Sequence, residues 1–356
     1  MRRLPGIREK KQEILPAGYL FDNRALKRLI APLIIEQILA VTVGMVDTMM
    51  VSSVGEAATS GVSLVDMINT LLINVFAAVA TGGAVVASQY LGQKNRKRAC
   101  ESAVQLLIVT GIISLLVMGG AILFQRGLLH LLYGNLEPDV MKNALVYLVI
   151  SAASYPFLAI YNSCAALFRS MGNSKISMQV SVVMNGINIF GDAVFIFGFH
   201  MGVAGAAFAS LISRMIACVI LMVRLFDPKL EITLKGTKFG WNQRIVGRIL
   251  QIGIPSGVEN SIFQLGRVIG VGFITMFGTT QIAANAVANN LDALGILPAQ
   301  AMNLALITVI GQCVGAGDYK QAEYYAKKLM KLTYLNNGVC CMTVIATMPL
   351  TLKLYG

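Results

Sequence analysis

Residues 40–53 read AVTVGMVDTMMVSS, one carboxylate, Asp47, set in a run otherwise suited to lipid. The run extends back through LIAPLIIEQIL (residues 29–39), so that 28–53 is long enough to cross about 30 Å of hydrocarbon as a helix. A charged side chain at mid-bilayer costs roughly 2.5–3.5 kcal/mol on insertion scales, so it has to face a bundle interior or a cavity and marks function by default. A soluble helix would need no such explanation for Asp47. The stretch therefore predicts a membrane helix with a polar interior.

Segments of similar length and polarity recur at 60–88, 101–125, 140–168, 176–200, 203–225, 246–276, 281–310 and 327–354, nine in all. The chain is 56% hydrophobic and 13% charged, with mean hydropathy +0.69. A soluble protein carries about 25% charged residues. The fold class is an all-α polytopic membrane protein. The leader MRRLPGIREKK is basic, but the segment behind it holds Pro32, Glu36 and Asp47 and is too long for a signal peptide, so it is read as a retained first helix.

The net charge of +12 would suggest nucleic acid in a soluble protein, but here it sorts by loop. SSVGEAATSG, FHMGVAG and FGTTQ contain no Lys or Arg, whereas GQKNRKR, FRSMGNSK, the 224–248 stretch and GAGDYKQAEYYAKK are basic. With the leader, 24 of the 29 basic residues lie on one side, and only Arg214 and Arg267 are intramembrane. The positive-inside rule puts the N-terminus in the cytoplasm, with the chain multi-pass in the cytoplasmic membrane. No nucleic-acid partner follows. The six cysteines are scattered among apolar segments and His130 and His200 stand alone, so no metal set and no enzyme active site is read.

The sequence also repeats itself. A shift of 223 residues aligns Pro32 with Pro255, Glu36 with Glu259, Gly55 with Gly278, and SQYLG (88–92) with GQCVG (311–315). An even number of helices separates the copies, so they are parallel, the arrangement of many transporters. This predicts two pseudo-symmetric six-helix lobes, the second truncated, because LLYG at 131–134 finds its echo in KLYG at the end, 353–356. The expected division is a cytoplasmic basic leader (1–27), an N-lobe (28–225), a cytoplasmic inter-lobe link (226–245) holding the single tryptophan, Trp241, and a partial C-lobe (246–356).

A second polar constellation lies in NGINIFGDAVFIFG (185–198), where Asn185, Asn188 and Asp192 follow helical spacing on one face. Asp47 and Asp192 sit at similar distances from the far ends of two helices that run the same way, a difference of about 3 Å. Two carboxyls sharing a low-dielectric cavity exchange protons near neutral pH; with the amides beside them they equally suit Na⁺. Asn285, Asn289 and Asp292 repeat the pattern and, with Glu259, suggest a second cavity, one that Arg267 approaches. Asp66 and Asn69 are read as solvated near a helix end. Pro32 permits a bend four turns before Asp47.

Pro32 followed by VDTMMV, SQYLGQ, ALFRSMGNSK, NIFGDAVFIFGFHMGVAGAAFAS and GIPSGVEN together resemble the multidrug and toxic compound extrusion (MATE) family, over essentially the whole chain. The resemblance implies two lobes around a central cavity and H⁺- or Na⁺-driven antiport that exports small organic cations, with no cofactor beyond the coupling ion, in a monomer embedded in the bilayer. It implies that Asp47, Asn188 and Asp192, with an associated Asn162, hold the coupling cation, and that Pro32 is the bend of the first helix. Two departures stand out. Phe263 occupies the place where some Na⁺-coupled members carry a glutamate, and Glu259 is one turn early. Family members have twelve helices against nine here. Alternatives in sequence terms are a lipid-linked oligosaccharide flippase, whose anionic cargo would favour more cavity arginines, and a non-transporting fragment.

Overall fold

The computed structural model describes residues 19–134, 136–275 and 279–355. It consists of helices, with no strand among the described residues: α1 (Asn23–Ser52), α2 (Glu56–Gly92), α3 (Arg96–Leu123), the short α4 (Gln125–Tyr133), α5 (Pro138–Ser170), α6 (Ser174–Asp192), α7 (Val203–Leu225), α8 (Gln243–Thr275), α9 (Thr279–Gly315) and α10 (Tyr319–Tyr355). All but α4 coincide with the nine expected apolar segments. Among the described residues seven are long and apolar enough to cross a membrane, α1 to α3, α5 to α7 and the part of α9 from Gly295 to Gly315. The other two are diluted by polar groups, Gln251, Glu259, Asn260 and Gln264 on α8 and Lys320, Glu323, Lys327, Lys328 and Lys331 on α10. Most of the basic leader lies outside the described residues.

Short sequence signals fix the helix starts. Asp22 accepts from Ala25 N at 2.5 Å and Asn95 from Arg98 N at 3.1 Å, side-chain caps for two otherwise orphaned N–H groups. Pro138 stands in the first turn of α5, where its missing N–H costs nothing. Beyond Asp192, α6 continues as a π-helical turn, Ala193–Gly198.

The largest core lies among α2, α3, α5 and α7, where Leu106, Leu167, Phe168, Leu221 and Leu225 are fully enclosed. A second joins the start of α1 to α9 and α10 through Leu29, Leu33, Met302 and Tyr325. The stretch between α7 and α8 is strapped to the basic end of the bundle. Arg96 donates to the carbonyls of Pro228, Leu230 and Glu231, and Ile232 and Leu234 are buried beneath it. Trp241 in this link is 60% exposed.

The sequence repeat reappears as a reciprocal contact. A Cβ added at Gly92 on α2 would meet Gln312 O on α9, and one at Gly315 on α9 would meet Gln89 O on α2. Each pair is the other shifted by 223 residues, as a two-fold relation between copies demands. Elsewhere on α2, a Cβ at Gly82 would meet Ile249 O, so α2 also crosses α8 closely. Small residues permit that approach in a membrane, where van der Waals packing replaces the hydrophobic drive between helices.

Candidate functional site

Asp47 and Asp192 meet. Their carboxyls lie within hydrogen-bonding reach of each other across α1 and α6, an approach that a shared proton would make favourable. Asn188, one turn before Asp192, completes the group. With its amide turned to donate, Nδ2 lies 3.1 and 3.3 Å from the two oxygens of Asp47, and the other end of the amide stands 3.3 Å from Ser210 Oγ on α7. Asn188 and Asp192 are buried, and Asp47 is half-buried. Asp192 is only 2% exposed, and its Oδ1 has no hydrogen-bond partner in the protein. A buried, unsatisfied carboxyl oxygen is costly unless something else binds it.

Asp192 lines a cavity of about 150 Å³ together with Asp47, Asp66, Tyr147, Ser210 and Arg214 among others. Local packing explains why α6 delivers Asp192 there. A Cβ at Gly191 would meet Ala209 and one at Gly205 would meet Phe195, so α6 and α7 nest through small residues on either side of the aspartate. The π-helical turn begins at the next residue, a distortion frequent at functional sites.

Sequence reasoning missed part of this cavity. Asp66 is exposed, as expected of a solvated position, but Asn69 is not. Asn69 is buried, donates to Asp66 Oδ1 at 3.1 Å and accepts from Tyr155 OH at 2.7 Å, while Asp66 and Tyr147 line the cavity together. The helix begins at Glu56, about one turn earlier than expected, which places Asn69 further from the helix end. The i, i+3 spacing of Asp66 and Asn69 was the available signal. Ser210 and Tyr147 gave none, being ordinary residues in apolar helices.

Other expected residues lie elsewhere. Asn162 lines a separate, smaller cavity of about 70 Å³ with Thr81, Arg169 and Thr308, so the structure does not bring it to Asp47. Glu259 and Asp292 are exposed and Asn285 is half-buried; the Asn289 side chain lies outside the described residues, and none of the three lines the cavities above. Pro32 sits inside a continuous α1. A proline removes the N–H that would bond the carbonyl four residues back; here Ser174 Oγ donates to that carbonyl, Arg28 O, at 3.2 Å, and to Leu29 O at 2.6 Å.

Glu36, one turn past the proline, is a second buried carboxylate. Arg169 Nη1 lies 3.4 Å from its Oε1 and Ser177 Oγ donates to Oε2 at 2.9 Å, which ties α1 to α5 and α6. Thr308 and Gln312 of α9 donate to the carbonyls of Arg169 and Ser170.

An all-helical bundle with an internal repeat and a carboxyl-lined cavity defines a polytopic membrane protein of the transporter type. The MatE family model matches residues 32–194 and again 255–356, two stretches that begin 223 residues apart. The chain belongs to the MatE family, whose members are membrane transporters and not enzymes. It is 28% identical over 330 residues to the uncharacterized transporter YisQ of Bacillus subtilis, covering 91% of this chain and 71% of that protein. It is 28% identical over 304 residues to a probable multidrug resistance protein NorM of Thermotoga maritima, covering 83% and 64%. A crystal structure of MATE in the straight conformation superposes with TM-score 0.88 at 20% identity, over 93% of this chain and 74% of that one.

Proposed function

We propose that this protein is a cation-coupled antiporter that exports small organic cations, working as a monomer by rocking two lobes (28–225 and 246–356) around a central cavity. The N-terminus and basic loops face the cytoplasm, and nine helices cross the cytoplasmic membrane. The observation that carries the reading is the carboxyl pair Asp47–Asp192, with Asn188 on Asp47 and one Asp192 oxygen unsatisfied in a cavity. Such a group takes a cation and gives it back.

The close approach of the two carboxyls suits a shared proton, and so H⁺ as the coupling ion; the free oxygen and the amide keep Na⁺ as the second candidate. Exporting a monovalent cation against a membrane potential costs about 2.3 kcal/mol per 100 mV, roughly fifty-fold in concentration. Coupling is therefore required. Three carboxyls against one arginine in the cavity support a cationic cargo over an anionic lipid-linked oligosaccharide. Pro32 serves as the flexible point of α1, one turn before Glu36 and about four turns before Asp47.

The test is efflux of a fluorescent organic cation from cells or vesicles containing this chain, with Asp47→Asn beside it, under imposed pH and Na⁺ gradients. Export by the parent and none by the variant supports the reading, and the more effective gradient names the ion. Equal export by both would remove Asp47 from the mechanism, and a well-inserted parent that exports nothing would defeat the reading for this chain.

A further inference from the structure

The acidic cavity holds a permanent positive charge that the coupling scheme above does not use. Arg214, about three turns into α7, lines it. Its Nη1 donates to Ser154 Oγ of α5 at 2.7 Å, and among the described residues no carboxylate stands at ion-pairing distance from it. The groups that face it are Asp47 from α1, Asp66 from α2, Tyr147 and Tyr155 from α5 and Asp192 from α6, and its field acts on Asp47 and Asp66 together. A neutral hydroxyl thus holds the guanidinium inside the cavity, close to the carboxyls but apart from them. An independent sign that the cavity receives a guest is the unpartnered Oδ1 of Asp192, on a side chain 2% exposed.

We propose that Arg214 is a specificity-determining residue, a resident cation that limits this cavity to guests carrying one positive charge. The proposal rests on the cation-export reading above. Guanidinium does not deprotonate in proteins, so the charge is present at every step. With one proton between Asp47 and Asp192 and one arginine beside them, three ionisable carboxyls leave a single negative charge unmet. A monocation neutralises it. A dication leaves an excess positive charge in a poorly solvated space beside Arg214. The place on Ser154 matters for the same reason: an arginine paired directly with Asp47 or Asp66 would cover the oxygens that a guest needs.

Ethidium and propidium test this, because they share a ring system and differ by one quaternary ammonium. Binding of each dye to the purified full chain is followed by fluorescence for the parent, Arg214→Gln and Arg214→Lys. The parent and Arg214→Lys are expected to prefer ethidium. In Arg214→Gln propidium should bind about tenfold tighter or more, since a unit charge several ångströms away at an effective dielectric of about 20 is worth at least about 1.4 kcal/mol. An unchanged preference in Arg214→Gln overturns the proposal.

A second readout needs no organic guest. Ca²⁺ should raise the melting temperature of Arg214→Gln and not of the parent, and an equal response in both overturns the assignment. If the parent binds neither dye, the export reading fails and the Ca²⁺ comparison still decides the role of Arg214. If Arg214→Gln does not fold, Asp66→Asn replaces it: one negative charge fewer should weaken ethidium binding severalfold, and unchanged affinity would refute the charge argument.

Discussion

Two carboxylates on α1, Glu36 buried and Asp47 half-buried, lie about three turns apart and are treated in opposite ways. Near the basic end, Glu36 has both oxygens engaged, by Arg169 and by Ser177, and those partners lie in the same region as the α2–α9 contact at Gly92 and Gly315. Near the other end, Asp47 and Asp192 hold each other and one amide, with an oxygen left over and a cavity beside it. A buried charge with every lone pair met is a joint. One with a lone pair unmet has kept a place for something else. The difference in satisfaction, not in residue type, separates structure from function along this helix.

The sharpest way to break that comparison is to neutralise one group at each end. Asp192→Asn is expected to abolish gradient-driven efflux while leaving thermal stability equal or higher, because it removes an unsatisfied buried acid. An efflux assay paired with a melting curve decides; loss of stability together with transport would make Asp192 a joint like Glu36. Arg169→Met should do the reverse. It strands Glu36 and should cost about 3–5 kcal/mol, largely recovered when Glu36→Leu is added. Unfolding measured in detergent for the single and double variants checks this, and a single variant as stable as the parent would show that the ion pair is not structural.

Smaller changes sharpen the basic end. Gly92→Val forces α2 away from Gln312 O and is expected to lose about 1–3 kcal/mol, as overpacked contacts do, with Gly315→Val matching it if the two-fold contact is real. Unequal losses in melting experiments would break the reciprocity. Ser174→Ala leaves the carbonyl freed by Pro32 without its hydroxyl donor, for about 1 kcal/mol. In the background Pro32→Ala, which restores an N–H to that carbonyl, the same change should cost less, so a double-variant cycle isolates the effect.

Much of this was legible in the sequence for one physical reason. Lipid allows a spanning chain few structures, so long apolar runs become helices with little choice. The nine segments, the 223-residue repeat and the helical face carrying Asn188 and Asp192 all follow from such one-dimensional constraints. So did the depth match of Asp47 and Asp192, since rise per residue converts position into height.

Height is not azimuth, and there the sequence stopped. Asn162 lines another cavity, and Asp66 joins Asp47 and Asp192 in lining the acidic one. Whether a polar side chain finds a partner depends on which helix lies opposite, and that is set by packing between residues more than a hundred apart, as with Glu36 and Arg169 or Gly92 and Gln312. The sequence by itself determined a membrane-embedded helical repeat protein with charges inside. Only the tertiary structure decided which of those charges are spent on holding the helices together and which are left open to a guest.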